Sequence, residues 1–277
     1  MLFRSITVAN ENRCEPVLDE REVIKIAQSI CRYEPDPVAV AIAENHHAQF
    51  VKPQDSKIDA QSVPLELMRI PGFVSELMDF CMQTAPYPNQ GLAFCGALAM
   101  QSFLCGRKIR DAGNLRTNIY LIALAGSASG KDWPRQVNSH VMMMIDALSS
   151  LGDKFASGEG IQDALYITPS VLFQNDEIDG ILRSATGAKD NRYESIITTM
   201  LTAYTSSGGI MPMRRKAGKE SAGIIDQPHL SLFGTATPQY YYEALCERLL
   251  TNGFFARLMV IDIGQRGRGQ DAGLIDK

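Results

Sequence analysis

Residues 118–132 read Asn-Ile-Tyr-Leu-Ile-Ala-Leu-Ala-Gly-Ser-Ala-Ser-Gly-Lys-Asp. From Ile119 to Ala125 the run is apolar without alternation, which suits a strand buried on both faces of a parallel sheet. It opens directly into a Gly/Ser loop and then into a polar helix. Strand, loop and helix in that order form a nucleotide-binding βα unit. The loop departs from G-x-x-x-x-G-K-[ST] at both ends, with Ala125 for the first glycine and Asp132 for the hydroxyl residue. Gly126 and Gly130, with Ser127, Ala128 and Ser129 between them, still let the backbone turn its N–H groups toward phosphates. Lys131 can reach the β- and γ-phosphates, and the next helix adds its positive end. Asp132 can hold Mg²⁺ directly or through water, while adding negative charge near the phosphates. The bland alternative is a Gly/Ser turn in front of a helix.

Downstream, Ser170–Gln174 reads as a second buried strand, ending in Asn175-Asp176-Glu177 before a helix from Ile178. An acidic pair at a strand end can position Mg²⁺ through the Asp and polarise an attacking water through the Glu. Acids are also common at helix N-termini for purely electrostatic reasons. A third strand, His229–Phe233, runs into Gly234-Thr235-Ala236-Thr237-Pro238. A hydroxyl there can contact the γ-phosphate or water, or simply close a strand at a proline turn. A further strand is expected at Leu258–Ile263, and helices at Pro64–Ala85, Leu92–Leu104, Ser195–Tyr204 and Tyr240–Leu250. Strands alternating with helices predict an α/β fold with a mainly parallel sheet flanked by helices. Ile210–Met213 and Gly223–Ile225 flank a basic turn and predict a hairpin. That turn concentrates Arg214, Arg215, Lys216 and Lys219 with no interleaved aromatic residue, so it favours phosphate contact over base stacking. The alternative is a solvated loop.

Toward the N-terminus, Asp19 and Glu22 have the spacing of a capping box. Val23, Ile26, Ala27, Ile30 and Cys31 share one face of the helix that follows. Pro35 and Pro37 stop it. Residues 35–63 read as a linker with a short helical patch at Val38–Ala43.

The 277 residues suffice for one large α/β domain and a small appendage. The net charge of −4 and pI of about 5.6 argue against a protein coated in basic residues, but leave room for a local basic element. Six scattered cysteines read as reduced packing residues, and four histidines form no metal constellation. No apolar stretch approaches a membrane span, and the N-terminus lacks a secretory core, so a cytoplasmic protein is expected.

Taken in order, NIYLIALAGSASGKD, PSVLFQNDE, SSGGIMPMRRKAGKE, QPHLSLFGTATP and NGFFARLMV resemble the P-loop ATPase domain of phage and plasmid primase–helicases, related to superfamily III and AAA+ proteins, across residues 64–265. Residues 12–33 are similar to the last helix of the small helical domain that follows the primase module in such proteins. The resemblance implies a P-loop NTPase (AAA+/RecA-like) fold. Residues 1–34 would be the remnant of the helical domain, and 64–277 an ATPase domain truncated at its C-terminus, with no primase module in the chain. It implies ATP with Mg²⁺ as cofactors, Asp132 and Asp176 as metal ligands, Glu177 as the residue acting on water, and Thr235 as the sensor. Arg257 would approach a neighbouring subunit's γ-phosphate, against the plain alternative of a partly buried arginine among apolar residues. The implied activity is a homo-oligomeric ring moving on single-stranded DNA or a fork, with the 214–219 turn lining its channel. A replication-initiation switch without unwinding is the alternative. A small-molecule kinase fits less well, because it leaves the basic turn and Arg257 unexplained.

Overall fold

The structure is a computed structural model and describes residues 18–30, 63–187, 191–215, 223–245, 252–264 and 266–271. Two compact units divide at residues 59 and 60. In the first, helix α1 (Glu20–Ile30) begins as its sequence predicts: Asp19 Oδ1 accepts the N–H groups of Arg21 at 2.5 Å and Glu22 at 3.2 Å. Val23 is buried, whereas Ile26 is 40% exposed. The expected helical patch at Val38–Ala43 lies outside the described residues.

The second unit holds α2 (Leu65–Met68), α3 (Phe73–Thr84), α4 (Gln90–Cys105), β1 (Tyr120–Leu124), α5 (Asp132–Met144), β2 (Leu151–Gly152), α6 (Gly158–Ile167) and β3 (Ser170–Asn175). It continues through α7 (Ile178–Gly187), α8 (Asn191–Thr205), β4 (Ile210–Pro212), β5 (Ile224–Asp226), β6 (His229–Ala236), α9 (Pro238–Ala244) and β7 (Leu258–Asp262). Five strands form one parallel sheet in the order β2-β3-β6-β1-β7. The molecule is therefore α/β, its sheet flanked by helices. Side chains alternate across it. Tyr120, Ile122 and Leu124 join Val171, Phe173, Leu230 and Leu232 in a core on one face. Leu121 and Ala123 join Leu172 and Phe233 against α3, α4 and α5 on the other.

The differences from the sequence expectation have local causes. The single helix expected over 64–85 breaks at Pro71-Gly72, where Gly72 takes φ +90°. Pro238 opens α9 at its first turn, where a missing N–H costs nothing, instead of closing a turn. Helix α6 is an addition to the expected elements. It is capped by Ser157, whose Oγ accepts Gly160 N–H at 3.1 Å. Pro134 lies inside the first turn of α5, and Gly96 of α4 admits it: a Cβ on Gly96 would sit 2.6 Å from the Pro134 ring.

His229, fully buried at the start of β6, is pushed down to a pKa of about 4 by burial, aided by the Arg116 and Arg107 charges. The unfolded chain takes up this proton near pH 6.5, whereas the fold resists it until about pH 4. Stability therefore falls as pH drops through that window, by about 1.4 kcal/mol per pH unit from this group. His229→Gln should flatten the decline. Parallel stability–pH curves for the two chains would show that the imidazole does not titrate in this way.

Candidate functional site

The turn after β1 is drawn tight at the carboxyl end of the sheet. Ala125 N–H donates to Ala236 O at 2.9 Å, and the buried Ser129 hydroxyl donates to Gly126 O at 2.7 Å. Ala128 (φ +57°) and Gly130 (φ +81°) both take left-handed conformations, a pattern that curls successive N–H groups toward one point. Only glycine fits at 130, since a Cβ there would also meet Tyr87 O at 2.9 Å. Lys131 immediately precedes α5, and Asp132 is its first residue.

β3 delivers Asp176 and Glu177 to the same end of the sheet, and β6 lies between β1 and β3. The strand in the middle therefore presents Thr235 to both neighbours. Its hydroxyl donates to Asp176 Oδ1 at 2.6 Å. Arg135, one turn into α5, places Nη2 3.1 Å from Asp176 Oδ2 and also pairs through Nη2 with Asp132 Oδ1. Burial works against the Asp176 charge, but the Thr235 hydroxyl, Arg135, Lys131 and the Glu177 N–H together hold its carboxyl below the ordinary carboxylate range. Segments far apart in sequence thus converge on one group. Asp132, Arg135, Ser139, Asp153, Asp176 and Glu177 line an open cleft of about 930 Å³.

Glu177 adopts φ +56°, a conformation that costs a non-glycine residue about 1–3 kcal/mol and that clusters at functional positions. Its carbonyl accepts Gly180 N–H at 2.9 Å, which starts α7, while its side chain remains exposed at the cleft. A purely structural cap at this point would favour glycine or asparagine.

Beneath the cleft, buried amides lock α5 to β3. Asn138 Nδ2 donates to Gln174 Oε1 at 2.9 Å and to Gly96 O at 3.0 Å, and Gln174 Nε2 donates to Arg135 O at 3.2 Å. Neither these amides nor Arg135 stand out in the sequence, because their significance depends on a helix and a strand meeting.

Arg257 is not part of this cluster. It precedes β7, whose first residue, Leu258, pairs with Tyr120 at the amino end of β1. That places it roughly 15 Å from the loop, at ~3.3 Å per strand residue. It is held locally: Nη1 donates to Gly253 O at 2.8 Å, and the guanidinium lies 5.7 Å from the Tyr204 ring centroid.

The basic turn does follow a hairpin strand, β4 pairing antiparallel with β5. Lys216 and Lys219 lie outside the described residues. Arg215 is exposed, and Arg214 is paired with Glu159 Oε1 of α6 at 3.2 Å. The hairpin also has an aromatic neighbour that its own sequence lacks. The ring of Tyr166, from the end of α6 and 55% exposed, lies across Gly223, where a Cβ would meet it at 2.8 Å.

The family model of the primase C-terminal 1 domain (PriCT-1) matches residues 1–36. No curated protein matches the chain. The match suggests a primase-related replication protein, and it falls on the segment whose sequence resembles the helical domain behind a primase module. Among the described residues, no helix is long and apolar enough to cross a membrane.

Proposed function

We propose that residues 64–277 are a P-loop ATPase of the AAA+/RecA-like kind, and that the chain is a nucleic-acid-dependent motor of mobile-element replication. The observation that carries this reading is the convergence on Asp176 of the Lys131 charge, the Thr235 hydroxyl and the Arg135 fork at the carboxyl end of a parallel sheet. Ligands of open parallel sheets bind in that crevice. In this reading the 125–132 loop cradles the phosphates and Lys131 offsets their charge. Glu177 takes the proton of the attacking water, while Thr235 fixes the Asp176 carboxylate. Asp132 and Asp176 suit a magnesium ion: their oxygens face one shared guanidinium nitrogen, so the two carboxylates are near enough to share one cation. Mg²⁺ would supply charge neutralisation at the transferring phosphate.

The DNA part of the proposal rests on the hairpin. A sequence of cations between two hairpin strands, with an exposed ring against Gly223, matches what single strands require, phosphate contact and a stacking face. Arg214 retains value for such contact, because an exposed ion pair such as that with Glu159 is worth only about 0–1 kcal/mol and yields to a competing phosphate.

The test is the ATPase rate with and without single-stranded DNA, followed by strand displacement to separate a motor from an initiation switch. An ATPase indifferent to DNA would remove the motor reading. Changing Arg214, Arg215, Lys216 and Lys219 together to Ala should weaken single-strand binding for all sequences alike. The salt dependence should fall by about 0.7 unit of log–log slope for each phosphate that the turn no longer neutralises. Unchanged affinity and slope, with an unchanged circular dichroism spectrum, would return the turn to a solvated loop.

A further inference from the structure

We infer that Arg135 is a placeholder cation: without nucleotide, its guanidinium holds the position between Asp132 and Asp176 that a divalent metal takes, and metal entry requires its displacement. The inference rests on the nucleotide-hydrolysing reading of the same cleft. One nitrogen, Nη2, faces both Asp132 Oδ1 and Asp176 Oδ2. The remaining Asp176 oxygen, Oδ1, is occupied by the Thr235 hydroxyl at 2.6 Å and the Glu177 N–H at 3.1 Å. The carboxylate is thus hydrogen-bonded at Oδ1 and ion-paired at Oδ2.

The side chain is built into place. It is 18% exposed, its backbone carbonyl accepts Gln174 Nε2, and its buried Nε has no hydrogen-bond partner among the described residues. The fork is therefore committed through its terminal nitrogens. Guanidinium does not lose its proton in proteins, so this counter-charge cannot be titrated away and leaves only by moving. Nor can it stay beside a bound metal. Mg²⁺ bridging the same two oxygens, at about 2.0–2.1 Å from each, would occupy the space that Nη2 fills and repel its like charge. Two negative groups that would otherwise attract free divalent ions are thereby half neutralised until phosphates arrive with their own metal.

The experiment uses Mn²⁺ alone, without nucleotide, titrated into the full chain and followed by the electron paramagnetic resonance signal of the free ion. Arg135→Gln should bind Mn²⁺ at least about tenfold more tightly than the parent, the scale on which one adjacent charge alters a carboxylate's affinity for a proton. The gain should vanish in Arg135→Gln/Asp176→Asn. Equal Mn²⁺ affinity in parent and Arg135→Gln, or a gain that survives Asp176→Asn, overturns the proposal. If Arg135→Gln does not fold, the parent chain still decides. Its Arg135 Nη protons should rotate slowly without metal and freely once saturating Mg²⁺ is added, and unchanged rotation overturns the proposal. Neither measurement contains nucleotide, so failure of the ATPase reading would show separately, as Lys131→Ala with undiminished nucleotide binding.

Discussion

Glu177→Gln is expected to bind ATP as the parent does and to hydrolyse it at least about 10²-fold more slowly, the scale of losing a general base. The substitution keeps the size of the side chain and its hydrogen-bonding reach, so the effect isolates its ability to take a proton. The backbone supplies a second arm. Glu177 sits at φ +56°, where a side chain costs about 1–3 kcal/mol. Glu177→Gly should therefore raise the melting temperature while abolishing turnover, since the strain is retained only for what the carboxylate does. Near-normal hydrolysis in Glu177→Gln would assign the acidic pair to the start of α7 and nothing more. A Gly variant that melts lower would remove the strain argument.

Lys131→Ala should abolish ATP turnover and weaken nucleotide binding, because Lys131 is the cation placed at the exit of the Gly/Ser turn proposed to cradle the phosphates. Binding can be read without a label: Trp133, the single tryptophan, lies two residues on and donates its indole N–H to Thr84 at 3.0 Å. Arg257→Ala should instead bind nucleotide and fail to hydrolyse it. Its distance from the cleft in its own chain leaves a neighbouring subunit as the place where it would stabilise transition-state charge, a contribution of about 10³–10⁵ in rate when such an arginine is supplied in trans. Mixing the two inactive chains should restore part of the activity, since one class of interface pairs an intact turn with an intact arginine. No recovery at any ratio, with mixed oligomers demonstrated, would return Arg257 to the local role its Gly253 and Tyr204 contacts describe.

The strands are legible because burial on both faces leaves an unbroken apolar run, as in Tyr120–Leu124 and Val171–Phe173. Their boundaries move by one to three residues, and His229–Phe233 extends to Ala236 because Thr235 continues the ladder beside Ala123. Leu151–Gly152 is not legible: a two-residue edge strand has no period to detect. Lys131, Asp176, Glu177 and Thr235 are each nominated by local motif. The Thr235–Asp176 bond is not, since it depends on β6 inserting between β1 and β3, which no local pattern encodes. Arg135 is inconspicuous for the same reason. A lone arginine in a polar helix reads as solvated until the fold sets two carboxylates against it. Tyr166 illustrates the converse: the hairpin lacks an aromatic residue in sequence and acquires one from α6 in space, against Gly223.

The pairing of β1 also has a consequence for the order in which the chain can mature. β1 ends at Leu124, yet its two partners are β6, from His229, and β7, from Leu258. Neither edge of the strand that carries the Gly/Ser turn can be satisfied while only the first two hundred residues exist. During synthesis β1 must wait, apolar and unpaired, for partners more than a hundred positions away, and closing such loops is slow because their entropy is spent before any contact repays it. Nascent chains arrested before β6 should therefore be the ones that chaperones capture and that aggregate. Amide protection of Tyr120–Leu124 should appear only after β6 and β7 emerge, making the cleft beside Asp176 among the last parts of this protein to exist.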